Sequence, residues 1–254
     1  MTGGWRHRIA WLAVLPPLAF GAAAQAESRC DVPHELIEDD GELSATAAAL
    51  ARHQPIKIVT IGGASTAGSG ASGAQAAYPT RLQVHLAERL PGRRMEVVNK
   101  AVPRQTAAEM VARFKVDVLA EQPALVVWET GTVDAVRGVD VDGFTKTLAE
   151  GIARLKAGGA DVILIDPQYS PRTIALMNLQ PYFEGIHMMG DTARVEVFNR
   201  FDIMRYWIDE GRFDMTLKPP KLAPEIDAIY DCIGALLAQI IAERLVNEGL
   251  KELR

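Results

Sequence analysis

Short β-branched runs alternate with longer helical patterns along this chain, and that alternation restricts the fold more than any single motif does. Apolar strand candidates fall at Ile56–Ile61, Met95–Asn99, Ala124–Trp128, Asp161–Ile165 and Val195–Phe198. Helical patterns lie between them at Pro79–Leu90, Ala107–Leu119 and Phe144–Leu155. The third repeats Phe144, Leu148, Ile152 and Leu155 at helical spacing and stops at Gly158-Gly159. An alanine-rich helix over about Leu43 to Arg52 precedes the first strand. A final helix from about Pro224 to Asn247 carries Ile233, Leu236, Leu237, Ile240 and Ile241. Such alternation predicts a parallel sheet with helices on both faces, a three-layer α/β/α sandwich with flavodoxin-like strand order. Ligand sites then belong at the carboxyl ends of the strands.

The N-terminus has the form of an export signal. Arg6 and Arg8 make a positive start, Ile9–Phe20 is apolar but interrupted by Pro16 and Pro17, and Ala24-Gln25-Ala26 supplies a small-residue cleavage pattern. The apolar run falls short of the ~20 residues a membrane span needs. Cleavage after Ala26 is expected, leaving residues 27–254 as one α/β domain in a periplasm or the medium, with no membrane span. The formal net charge is −5, and loss of the leader arginines makes it more negative. That balance, without a basic cluster, argues against nucleic acid and anionic membranes as partners. Cys30 and Cys232 form an even pair, which favours a disulfide in an oxidising compartment. Two separate buried thiols are the competing reading. No His/Cys/Asp set has metal-ligand spacing, and no cofactor is implied.

The first strand runs directly into a turn of small residues, IKIVTIGGASTAGSG from Ile56 to Gly70. Only small residues let a backbone turn this sharply and approach a ligand closely. A phosphate-cradling loop would need a lysine where Ser69 stands. Gly68, Gly70 and Gly73 match G-x-G-x-x-G, but they begin well after the strand, and the second strand closes on Asn99-Lys100 rather than on an acid for a ribose. Nucleotide binding is set aside.

Four segments fall in order at successive strand ends: IVTIGGASTAG (Ile58–Gly68), VVNKAVPRQTAAEM (Val97–Met110), LVVWETGTVDAV (Leu125–Val136) and IYDCIGALLAQII (Ile229–Ile241). This ordered set resembles the SGNH/GDSL hydrolases, a family of esterases and lipases, over nearly the whole chain after the leader. VEVFNRFDIMRYW (Val195–Trp207) is similar to a bacterial branch of the same family. The resemblance implies the three-layer fold and ester hydrolysis by a serine.

It also implies where the chemistry should sit, and there the chain departs from the pattern. The family's first block reads Gly-Asp-Ser-Leu-Thr-Ala-Gly or Gly-Ser-Ser-Ser-Thr-Ala-Gly. Laid on Gly62–Gly68 without a gap, it puts Ala64 at the nucleophile position. A one-residue slip would enlist Ser65 but breaks the fit on both sides. The glycine whose N–H helps hold an oxyanion is replaced by Ala101, which retains the N–H. The asparagine donor of Gly-x-Asn-Asp is replaced by Val133, between Gly131-Thr132 and Asp134. Anchoring the last block on Tyr230 and Cys232-Ile233-Gly234 puts Lys221 at the aspartate position and Pro224 at the histidine position. Proline accepts no proton, but it suits the first position of a helix.

Four separated losses are consistent with one another, because once nucleophile and base are gone little selects for the remaining donors. The expectation is therefore a pseudo-hydrolase that binds a small molecule or a protein through a cleft of Gly63, Ser65, Thr66, Gly131, Thr132 and Asp134. The alternative is a residual serine esterase using Ser65 with His187 as a relocated base. His85 reads as a packed or surface residue, Asp227 and Asp231 as a solvated helix face, and Lys218–Lys221 as an exposed loop.

Overall fold

The computed structural model describes residue 1, residues 28–38 and residues 41–252. The expected leader, Met1 apart, lies outside the described residues. Five parallel strands form one sheet in the order β2-β1-β3-β4-β5. They are β1 (Ile56–Ile61), β2 (Met95–Asn99), β3 (Leu125–Glu129), β4 (Asp161–Ile165) and β5 (Glu196–Phe198). This is the flavodoxin-like order, with its switch point between β1 and β3, where crossovers leave in opposite directions and open a crevice.

The helices are α1 (Ser44–Ala51), α2 (Tyr78–Arg89), α3 (Ala107–Ala112), α4 (Thr132–Arg137), α5 (Val141–Ala157), α6 (Pro171–Ile174), α7 (Gln180–Ala193), α8 (Arg200–Asp209) and α9 (Leu222–Glu252). Successive strand residues point to opposite faces, and the two cores divide accordingly. Leu125 and Val127 of β3 pack with Leu82, Trp207, Leu237 and Ile241 from α2, α8 and α9. Val126 and Trp128 pack on the other face with Met110, Leu148, Ile152 and Ile186 from α3, α5 and α7. Gly151 lets α5 approach the sheet, since a Cβ there would lie 2.6 Å from the Trp128 ring.

Two expected helices differ in extent. The pattern over Ala107–Leu119 yields only the short α3, followed by a π-helical turn over Phe114–Val118 and a 3-10 turn over Leu119–Glu121. The β-branched Val116 and Val118, and the approach to Pro123, work against a regular helix. The last helix starts at Leu222, so Pro224 is its third residue rather than its first. Its missing N–H is still one of the first-turn groups that have no intrahelical acceptor.

Cys30 and Cys232 are joined by a disulfide with a Cα–Cα distance of 5.0 Å. It ties the first described segment to α9. Arg29 strengthens the tie by pairing with Glu225 at 2.7 Å and lying 4.2 Å from the centre of the Phe213 ring.

Candidate active-site cleft

The turn after β1 is fixed from three sides. From the end of β3, Glu129 Oε2 accepts the Gly63 N–H at 2.8 Å and the Thr66 hydroxyl at 2.9 Å. From the end of β2, Asn99 Nδ2 donates to the Thr66 carbonyl at 2.8 Å. On the far side, the Tyr230 hydroxyl of α9 donates to the Ser69 carbonyl at 2.9 Å. Gly62 is required beneath the turn, because a Cβ would fall 2.7 Å from Glu129 Oε2.

One buried cation joins three strand ends. Arg200, the first residue of α8, is only 1% exposed. Its Nη1 donates to Ser65 Oγ at 2.9 Å, its Nη2 to Glu129 Oε1 at 3.2 Å, and its Nε to the Asp166 carbonyl at 3.0 Å. Burial pushes the Glu129 carboxyl up. The Arg200 charge, the Gly63 N–H and the Thr66 hydroxyl more than offset this, so it lies below the ordinary range. Beyond Arg200, Asp166 accepts the Phe201 N–H at 2.9 Å and meets His187 Nε2 at 3.4 Å. Burial raises the Asp166 carboxyl despite these partners. His187 stacks on Phe183 with ring centres 5.3 Å apart.

Above this network lies a cavity of about 140 Å³ lined by residues from the turn, the segment after β2 and the segment after β3. Ala64 and Val133 both line it, as do Gly63, Ser65, Gly131 and Thr132. Two residues expected in the cleft instead lie below it. Thr66 is fully buried against Glu129 and Tyr78. Asp134 is buried and accepts the Ala107 N–H with both oxygens at 3.1 Å, so it braces α3. Burial raises its carboxyl. Ala101 keeps its N–H but directs it to Asn99 Oδ1 at 3.0 Å, so this donor is already engaged.

Pro224 is not brought to Ala64. It lines a separate open hollow of about 670 Å³ with Ser72–Ala76, Arg81, Asp227 and Asp231. Lys221 is exposed at the entry to α9. The two aspartates are not a solvated face: Asp227 accepts the Ser72 N–H at 2.8 Å, and Asp231 meets His85 Nε2 at 2.8 Å and Arg81 Nε. They bind α9 to α2 and to the loop before it. Among the described residues no cluster of three His, Cys, Asp or Glu could hold a metal.

The Ser65 hydroxyl meets Arg200, and no imidazole among the described residues touches it. Guanidinium has no acceptor site and stays charged, so it cannot take the serine proton. Arg200 and Asp166 stand between Ser65 and His187, which are not directly hydrogen-bonded. Sequence reasoning missed Glu129, Asp166 and Arg200. The available signal was a charged residue within two positions of the end of an apolar run, in VVWE, LIDP and VFNR.

A family model, the non-GDSL lipase-like family, matches residues 29–247. The chain belongs to the non-GDSL lipase-like family. It is accordingly a member of the SGNH/GDSL hydrolases. Esterase TesA of Pseudomonas aeruginosa is 32% identical over 121 residues, which cover 46% of this chain and 59% of that esterase. Among solved structures, a crystal structure of TesA superposes with a TM-score of 0.56 at 20% identity, covering 72% of this chain and 99% of the other. A two-domain esterase active on acetylated mannans, co-crystallised with mannopentaose, gives 0.65 at 17% identity over 82% of this chain and 55% of its own. Axe2, an acetylxylan esterase from Geobacillus stearothermophilus, in the form of a catalytic mutant, gives 0.53 at 20% identity over 75% and 94%. At these identities the structures establish the shared fold.

Proposed function

We propose that this chain is an exported pseudo-hydrolase, which binds a small molecule or a protein through the inherited cleft and has lost ester hydrolysis. The observation that carries this reading is Ala64 in the turn after β1, with the neighbouring Ser65 hydroxyl committed to Arg200 at 2.9 Å. A methyl group cannot attack an ester, and the adjacent Ser65 hydroxyl has a cation where a base is needed. Val133 supplies no side-chain donor, and Ala101 spends its N–H on Asn99, so two further supports for a tetrahedral intermediate are missing. Export is favoured by the leader pattern over Met1–Ala26 and by the Cys30–Cys232 disulfide. Residues 27–254 are proposed to act as one unit in a periplasm or the medium.

The test is hydrolysis of p-nitrophenyl acetate and butyrate by protein recovered from the exported fraction. No turnover above buffer is expected, and mass analysis should show a chain starting after Ala26. Turnover abolished by Ser65→Ala would establish the serine-esterase alternative with His187 and overturn the pseudo-hydrolase reading. Turnover that survives Ser65→Ala would also overturn it, by placing chemistry elsewhere.

A further inference from the structure

Arg104 lines the inherited cleft in a backbone conformation that suits glycine and not arginine. Its φ is +69°, in the left-handed region where a Cβ crowds the following carbonyl. The surrounding loop holds it there. The Arg104 carbonyl accepts from Arg137 Nη2 at 2.8 Å, and Arg137 Nη1 is itself paired with Glu109 at 3.0 Å. A strained non-glycine residue maintained by its neighbours at a cleft is the pattern that points to a ligand-directed role.

The charges around the cavity leave one cation over. Glu129 is matched by Arg200 and Glu109 by Arg137, whereas the exposed Arg104 has no acidic partner among the described residues. Hydrogen-bond donors are also in surplus. Nothing among the described residues accepts from the N–H groups of Ala64 or Ser65. The Thr130 hydroxyl, on a cavity-lining residue that is 2% exposed, has no partner. Small apolar walls come from Ala64, Met110 and Val133. The volume of about 140 Å³ is well below the ~300–1,000 Å³ of drug-sized sites. A surplus cation, unengaged donors and a small apolar wall together describe a compact anion with a short hydrocarbon tail.

We propose that the cleft binds a short-chain carboxylate, acetate to butyrate in size, and that Arg104 selects for its charge. This rests on the ligand-binding reading above and adds the chemical class. Acetate and its neutral isostere acetamide would be titrated into isotope-labelled protein, following the amide resonances of Gly63, Ser65 and Gly131. Acetate should saturate these shifts, with acetamide at least about tenfold weaker, the size expected for loss of a charge-assisted contact. Arg104→Gly should weaken acetate at least about tenfold while leaving the melting temperature unchanged or higher, because glycine relieves the left-handed strain. Arg104→Lys should keep part of the affinity. Equal binding of acetamide and acetate, or wild-type affinity in Arg104→Gly, would overturn charge selection while leaving a ligand-binding cleft. Absence of saturable acetate shifts would overturn the carboxylate site itself. Ester turnover, measured separately, is what would remove the pseudo-hydrolase reading.

Discussion

Arg200 holds the Ser65 hydroxyl at 2.9 Å from a position that is 1% exposed. The same guanidinium also neutralises Glu129, so the turn after β1 is organised around a buried ion pair rather than around a nucleophile and base. Removing one member leaves the other charged and desolvated. Arg200→Met should therefore cost about 3–5 kcal/mol in urea unfolding. The double variant Arg200→Met/Glu129→Leu should cost less than Arg200→Met alone. A double variant as unstable as the sum of the singles would show that the pair is not coupled.

Acid should weaken this arrangement in a defined direction. The folded-state carboxyl of Glu129 lies below the ordinary range, so its contribution is fully present above the unfolded value of about 4.3. It is lost as pH falls through the lower folded value. The stability difference between wild type and Glu129→Gln should be constant from pH 7 to 5 and shrink below about pH 4. A difference that grows on acidification would reverse the assigned shift.

On the pseudo-hydrolase reading, a serine introduced at position 64 should not by itself confer ester hydrolysis. Ala64→Ser places a hydroxyl at the cleft wall, but Pro224 lies in a different hollow and no histidine occupies its place. Catalytic groups that act as a unit contribute little singly. Hydrolysis of p-nitrophenyl acetate by Ala64→Ser should stay within about tenfold of wild type. A larger gain would mean that a base already serves position 64.

The disulfide closes a loop with a sequence separation of 202 residues. Cross-links over long loops restrict the unfolded chain most, and loss of this one should cost about 2–5 kcal/mol. The paired variant Cys30→Ala/Cys232→Ala should unfold at lower urea than wild type, and wild type plus reductant should match it. Thiol labelling of the native protein without reductant should find no free cysteine.

Strand positions were legible because each carries a dense apolar run. Ile56–Ile61, Met95–Asn99 and Asp161–Ile165 are strands over those same residues. Period-2 burial and helical spacing are local signals, readable one segment at a time. The departures arose where local and longer-range demands compete. Ala107–Leu119 has a helical apolar pattern, but its β-branched residues and the following proline break it into α3 and two irregular turns. Asp227 and Asp231 look like a solvated face one turn apart, yet α2 and the preceding loop meet them from elsewhere in the chain.

By itself the sequence determined the family and the parallel α/β/α scaffold, since these depend on residue type and order. Tertiary structure decided what became of the site. Only when four strand ends converge do Ser65, Glu129, Asp166 and Arg200 meet, and their separations in sequence give no hint of it. Desolvation then makes the meeting consequential: a buried carboxylate must be paired, and the cation that pairs it also claims the Ser65 hydroxyl.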